Sequence, residues 1–179
     1  MKTLFVIDAK DYEENWPVLS AVTVRGIIRR DGLFAMQKNR FGVYKIPGGG
    51  PDEGESFEEA LYREVKDEMG FLLDTGRMKE IGMVIEKRED AFKKGKIFER
   101  RTYFYECSVL EETGETNMTK SEIALGFQPV WADMDTIIRE NRACLVEKWN
   151  IRDTEFFVWL KRQENSRHDL PDRESGEAL

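Results

Sequence analysis

Residues 48–71 read GGGPDEGESFEEALYREVKDEMGF, and this stretch constrains the fold of the 179-residue chain more than any other. Three consecutive glycines follow the short β-type run Tyr44–Ile46 and Pro47. The chain must therefore bend where backbone can pass close to other atoms. A helix comes next. Ser56 with Glu59 three positions on forms a capping-box pair. Phe57, Leu61, Val65 and Met69 recur every fourth residue and define one apolar stripe. Gly70 supplies a residue that can close the helix in the left-handed conformation. A strand, a glycine bend and a helix with one buried face, in direct succession, call for a sheet with a helix packed on it.

The same helix concentrates negative charge. With about 100° per residue and Glu64 at zero, Asp67 falls near about −60° and Glu68 near about +40°. The three carboxylates share one sector beside the apolar stripe, so Glu68 is expected to be partly desolvated. Like charges at that spacing repel, and partly buried carboxylates facing one another need a cation. Clustered hard oxygen donors favour Mg²⁺ or Mn²⁺. A glycine bend nearby can aim a carbonyl at such an ion and lets the backbone of Gly49 and Gly50 approach a phosphate. The glycines are adjacent and no Gly-Lys-Ser/Thr follows, which excludes a P-loop.

Around this centre, β-type runs are predicted at Thr3–Ile7, Leu19–Arg29, Leu33–Gln37, Tyr44–Ile46, Met78–Lys87, Arg101–Leu110 and Gln128–Trp131. Asp31-Gly32 reads as a hairpin turn. Further helices are predicted at Asp133–Asn141 and Asp153–Gln163. This order lacks the regular alternation of a doubly wound fold. It predicts an α/β (α+β) arrangement, a mixed sheet with helices on both faces. Residues 1–165 are expected to form one domain, with 1–17 as a strand and arm, and 166–179 as a flexible polar tail. Residues 89–100, EDAFKKGKIFER, are expected to form a charged connection.

Net charge is −7 and the pI about 5.0, which speaks against a nucleic-acid coat or a polybasic membrane binder. Cys107 and Cys144 form no C-x-x-C pair and suit a reducing cytoplasm. No apolar run approaches the roughly 20 residues of a bilayer span, and MKTLFVID does not read as a secretory leader.

Taken together, the spacing is Gly49, five residues, Glu55, seven residues, Arg63-Glu64-Val65, one residue, Asp67-Glu68, one residue, Gly70-Phe71. This resembles the Nudix box of the MutT-like Nudix hydrolases, G-x5-E-x7-R-E-U-x-E-E-x-G-U with U a bulky aliphatic. Asp67 replaces a glutamate and Phe71 an aliphatic. The run YKIPGG upstream and Trp131 downstream also look like this family, and the resemblance covers roughly residues 20–140.

The resemblance implies an α/β/α sandwich with a mixed sheet and a loop-helix-loop catalytic motif. It implies divalent-metal-dependent hydrolysis of a pyrophosphate bond in a nucleoside diphosphate derivative, including (oxidised) nucleoside triphosphates. By the same resemblance Glu64, Glu68 and Asp67 are expected metal ligands, joined by the Gly48 carbonyl. Arg63 is expected to orient a carboxylate, with Glu55 as partner, and a guanidinium suits that bidentate task better than an ammonium. Glu64 and Glu68 lead as catalytic groups. Glu122, in a loop before Trp131, is a further candidate ligand or base, and Glu115 a weaker one. Lys38 lies where the family places a basic residue against substrate. Many relatives are homodimers.

Two readings come from the residues themselves. Arg25, charged amid VTVRGII, is a candidate phosphate contact. Residues 86–101 hold seven basic side chains against four acids, a candidate electrostatic guide. The proline that ADP-ribose hydrolases of the family carry some way past the box is not found. A nucleotide-binding domain without catalysis and an RNA-directed pyrophosphatase are the alternatives. The complete carboxylate set speaks against the first and the acidic charge against the second.

Overall fold

The β-branched run around Val24 becomes the spine of the sheet in the computed structural model, which describes residues 1–144 and 150–168. Strand β2 spans Val18–Arg30 and β3 Leu33–Lys38. Asp31 and Gly32 join them with φ of 52° and 77°, the two positive values that a tight hairpin turn of this hand needs. The remaining strands are β1 (Thr3–Asp8), β4 (Tyr44–Lys45), β5 (Phe71–Leu73), β6 (Lys79–Glu89), β7 (Ile97–Cys107), β8 (Val109–Glu112) and β9 (Gln128–Ala132). Helices are α1 (Phe57–Met69), α2 (Lys120–Leu125), α3 (Met134–Ala143) and α4 (Asn150–His168).

The seven-stranded sheet has the order β1-β6-β7-β2-β3-β4, with β9 paired to β3. It is mixed: β2 runs parallel to β7, from Val18 against Ile97 to Ile28 against Cys107, while β6–β7 and β3–β9 are antiparallel. Side chains alternate faces along β2. Val24 and Ile28 pack with Leu61, Val65 and Met69 of α1. Ile27 packs on the other face with Ile137 of α3 and Phe156 and Phe157 of α4. There Phe104 stacks on Phe156 at 4.0 Å between ring centroids. Each such fully buried apolar side chain contributes about 1.5–3 kcal/mol. The result is helix, sheet, helix, the sandwich expected.

The stripe of α1 is buried as its spacing demands. Ser56 and Glu59 form both capping-box bonds, and Gly70 ends the helix at φ 69°.

Three segments differ from the expectation. The charged connection shrinks to residues 90–96, because β6 and β7 pair as far as Glu89 and Ile97. Cross-strand charge pairs such as Lys87–Glu99 let these polar residues remain in strands. Glu122 lies in a helix, α2, rather than in a loop; Thr119 caps it with a second capping box. Strands β5 and β8 pair as a separate two-stranded sheet. The tail expected at 166–179 lies largely outside the described residues, and α4 extends through His168.

Candidate active site

The glycine bend carries the chain from β4 back across β2. Gly26 N–H donates to the Pro47 carbonyl at 3.0 Å and Val24 N–H to that of Gly49 at 2.8 Å. Gly48 has φ 129°, and a Cβ there would meet the Val24 carbonyl oxygen at 2.2 Å. No other residue passes at this point. The same N–H of Gly48 donates to Glu68 Oε2 at 2.7 Å. A Cβ on Gly49 would sit 2.3 Å from Glu64 Oε1. Two successive glycines thus each lie against one of the two leading carboxylates of α1.

Arg63, on the flank of α1, fastens the loop that follows the bend. Its Nε and Nη2 donate to the two oxygens of Glu55 at 2.9 and 2.8 Å. Nη1 reaches Glu64 Oε1 at 2.7 Å and Nη2 the Gly50 carbonyl at 3.2 Å. The Arg63 bonds, helped by the Asp52 N–H, hold the Glu55 carboxyl at about 2. Arg63 is itself held above its ordinary value by Glu55.

Glu68 is 1 % exposed. Burial pushes its carboxyl up to about 7, against the pull of Lys45 and Arg25. Lys45 Nζ donates to Glu68 Oε1 at 2.6 Å and to Glu122 Oε1 at 3.2 Å. Burial also opposes ionisation of Glu122, but the Thr119 backbone N–H, the Lys45 charge and the Thr119 hydroxyl outweigh it and hold the carboxyl at about 2. Lys45 was not singled out in the sequence. The available signal was a lysine at the end of a strand leading straight into the glycine bend.

The fold thus brings Gly48, Gly49, Glu64, Glu68 and Glu122 together around Lys45 and Arg63. Asp67 is half-buried and offers its backbone carbonyl to Asn117 N–H at 2.8 Å. Among the described residues no three carboxylate, histidine or cysteine side chains stand close enough to hold one metal ion. The reason is visible: Glu64 is drawn to Arg63, and Glu68 and Glu122 to Lys45. The donor chemistry fits a hard cation nonetheless. All the donors are oxygen, and an ammonium already stands between two of the carboxylates.

Arg25 lies beneath the bend, 6 % exposed. Among the described residues its Nε and Nη1 have no hydrogen-bond partner. Burial, then the neighbouring Arg152, lowers its guanidinium to about 10. Lys38 pairs with Glu140 at 2.8 Å and the Tyr44 hydroxyl at 3.0 Å. It lines an open cleft of about 520 Å³ with Asn39, Arg40, Ile123, Gly126 and Gln128. At the β6–β7 turn, Asp90 accepts the Phe92 and Lys93 N–H groups, and Lys94 pairs with Glu89.

Several known proteins resemble this chain. A Nudix hydrolase from Nitrosomonas europaea superposes with a TM-score of 0.55 at 19% identity, covering 83% of this chain and 90% of that one. The solution structure of the E. coli ORF135 protein gives 0.51 at 16% identity, covering 86% and 96%. These likenesses concern the fold. An ADP-ribose pyrophosphatase of Methanocaldococcus jannaschii is 43% identical over 56 residues, 29% of this chain and 33% of the relative, so the match spans about a third of that curated protein. The sequence profile of the NUDIX domain matches residues 19–160. With the box residues gathered at one bend, and with that profile spanning most of its length, the chain belongs to the Nudix family.

Proposed function

We propose that this protein hydrolyses a pyrophosphate bond in a nucleoside diphosphate derivative, with Mg²⁺ or Mn²⁺ held by Glu64, Glu68, Glu122, Asp67 and the Gly48 carbonyl. The observation that carries the proposal is the approach of Gly48 and Gly49 to Glu68 and Glu64. Carboxylates beside backbone that a phosphate can closely approach are what such a reaction needs.

Those residues would hold a divalent ion, whose presence would supply positive charge for the phosphate and lower the pKa of a water. The chain supplies the rest. Glu64 and Glu68 are the leading candidates for the general base, and burial raises the Glu68 carboxyl when no ion is bound. Arg63 and Glu55 fix the loop so that Gly49 and Gly50 present their backbone to the substrate. Arg25 offers unpartnered donors beneath the bend to a phosphate, and Lys38 stands in the wall of the neighbouring cleft. Free Cys107 and Cys144 suit a reducing cytoplasm.

The resemblance to an ADP-ribose pyrophosphatase favours ADP-ribose as substrate; the missing downstream proline favours nucleoside triphosphates, including oxidised ones. A panel decides: ADP-ribose, ordinary and oxidised nucleoside triphosphates, dinucleotides and nucleotide sugars, each with Mg²⁺ and with Mn²⁺. At least one is expected to be cleaved at a phosphoanhydride bond. Tight binding of a nucleotide with no cleavage of any would overturn hydrolysis in favour of a binding domain.

A further inference from the structure

Glu68 and Glu122 come from different helices, yet they are arranged alike. In each, one oxygen is committed to positioning. Glu68 Oε2 accepts the Gly48 N–H at 2.7 Å, and Glu122 Oε2 accepts the Thr119 N–H at 2.9 Å and its hydroxyl at 2.8 Å. The other oxygen, Oε1 in both, is given to Lys45 Nζ. The two carboxylates are therefore placed without Lys45. What it supplies is charge, at a spot where its own side chain is only 16 % exposed and those of Glu68 and Glu122 2 % and 16 %. The Lys45 backbone is fixed by pairing with Gln37 of β3, while its four-carbon stem can swing.

We propose that Lys45 is a tethered counter-ion, offsetting part of the charge of Glu68 and Glu122 in the metal-free protein and releasing both when a divalent ion takes its place. The proposal rests on the reading of this site as a metal centre. Two partly buried carboxylates sharing a site without a cation would destabilise the fold or be forced to take up protons. A resident ammonium reduces both, and its displacement sets the metal concentration at which the site becomes occupied. Lys45 is here a positioning residue for charge, distinct from the groups that touch substrate.

The test is Mn²⁺ binding to the full chain, stripped of metal, at pH 8.5, read as free Mn²⁺ by electron paramagnetic resonance. Lys45→Met and Lys45→Gln remove the competitor and leave the Gly48 and Thr119 bonds. Each variant that is folded by circular dichroism is expected to bind Mn²⁺ about tenfold tighter than the parent, because a fixed positive charge no longer opposes the ion. Equal or weaker binding by the folded variants, with measurable binding by the parent, would overturn the role of Lys45 and leave the metal centre standing. If parent and variants alike fail to bind Mn²⁺, the metal centre falls and this proposal with it.

Discussion

Burying Glu68 should make the metal-free protein less stable as the pH rises, and the window can be calculated. Folding moves this carboxyl from its ordinary 4.5 to about 7. In the unfolded chain it loses its proton first. The stabilisation is therefore full below 4.5 and is lost as pH climbs through about 7. At about 1.4 kcal/mol per pH unit, the whole displacement is worth about 3 kcal/mol. The lowered carboxyls behave oppositely: Glu55 and Glu122, both at about 2, lend stability that is complete above 4.5 and disappears toward acid. The interval from about pH 5 to 8 thus isolates Glu68. Urea denaturation in the presence of a chelator should show the parent losing about 2–3 kcal/mol across that interval relative to Glu68→Gln. Parallel profiles for the two proteins would refute the burial argument.

Neighbouring glycines should fail in different ways. Gly48→Ala drives a Cβ into the Val24 carbonyl at 2.2 Å with φ 129°, and thermal unfolding should reveal a loss above about 2 kcal/mol. Gly49→Ala meets only the far end of Glu64, so its melting temperature should stay near the parent's while turnover falls. Arg25→Met removes a buried guanidinium with two unpartnered nitrogens. It should unfold at higher denaturant, by about 1–3 kcal/mol, while KM for the phosphate substrate rises; a less stable variant would contradict this. Neutralising Lys93, Lys94 and Lys96 should flatten the salt dependence of kcat/KM if the β6–β7 turn guides anions; an unchanged slope removes that role.

Local chemistry made much of this legible from sequence. Asp31-Gly32, the Ser56–Glu59 box and the four-residue stripe of α1 each specify their own geometry, and all appear where their residues require. The Arg63–Glu55 fork followed from the resemblance to the Nudix box, and a guanidinium matches a carboxylate in shape where an ammonium would not. What was not legible depends on partners distant in sequence. Glu122 meets Lys45 77 positions away in sequence, and nothing local to either residue announces it. The extensions of β6 and β7 into charged sequence depend on cross-strand pairs such as Lys87–Glu99. The two-stranded β5–β8 sheet is likewise a product of tertiary pairing, too short to carry a periodic signal.

The most direct measurement is release of cleaved phosphate product, on the best substrate of the panel, as Mg²⁺ is titrated into metal-stripped parent, Glu64→Gln and Glu68→Gln. No turnover is expected without a divalent ion, with saturation in the parent and variants that fold normally but run at least about a hundredfold slower. Turnover in the presence of a chelator, or near-parental rates in either folded variant, would contradict that expectation.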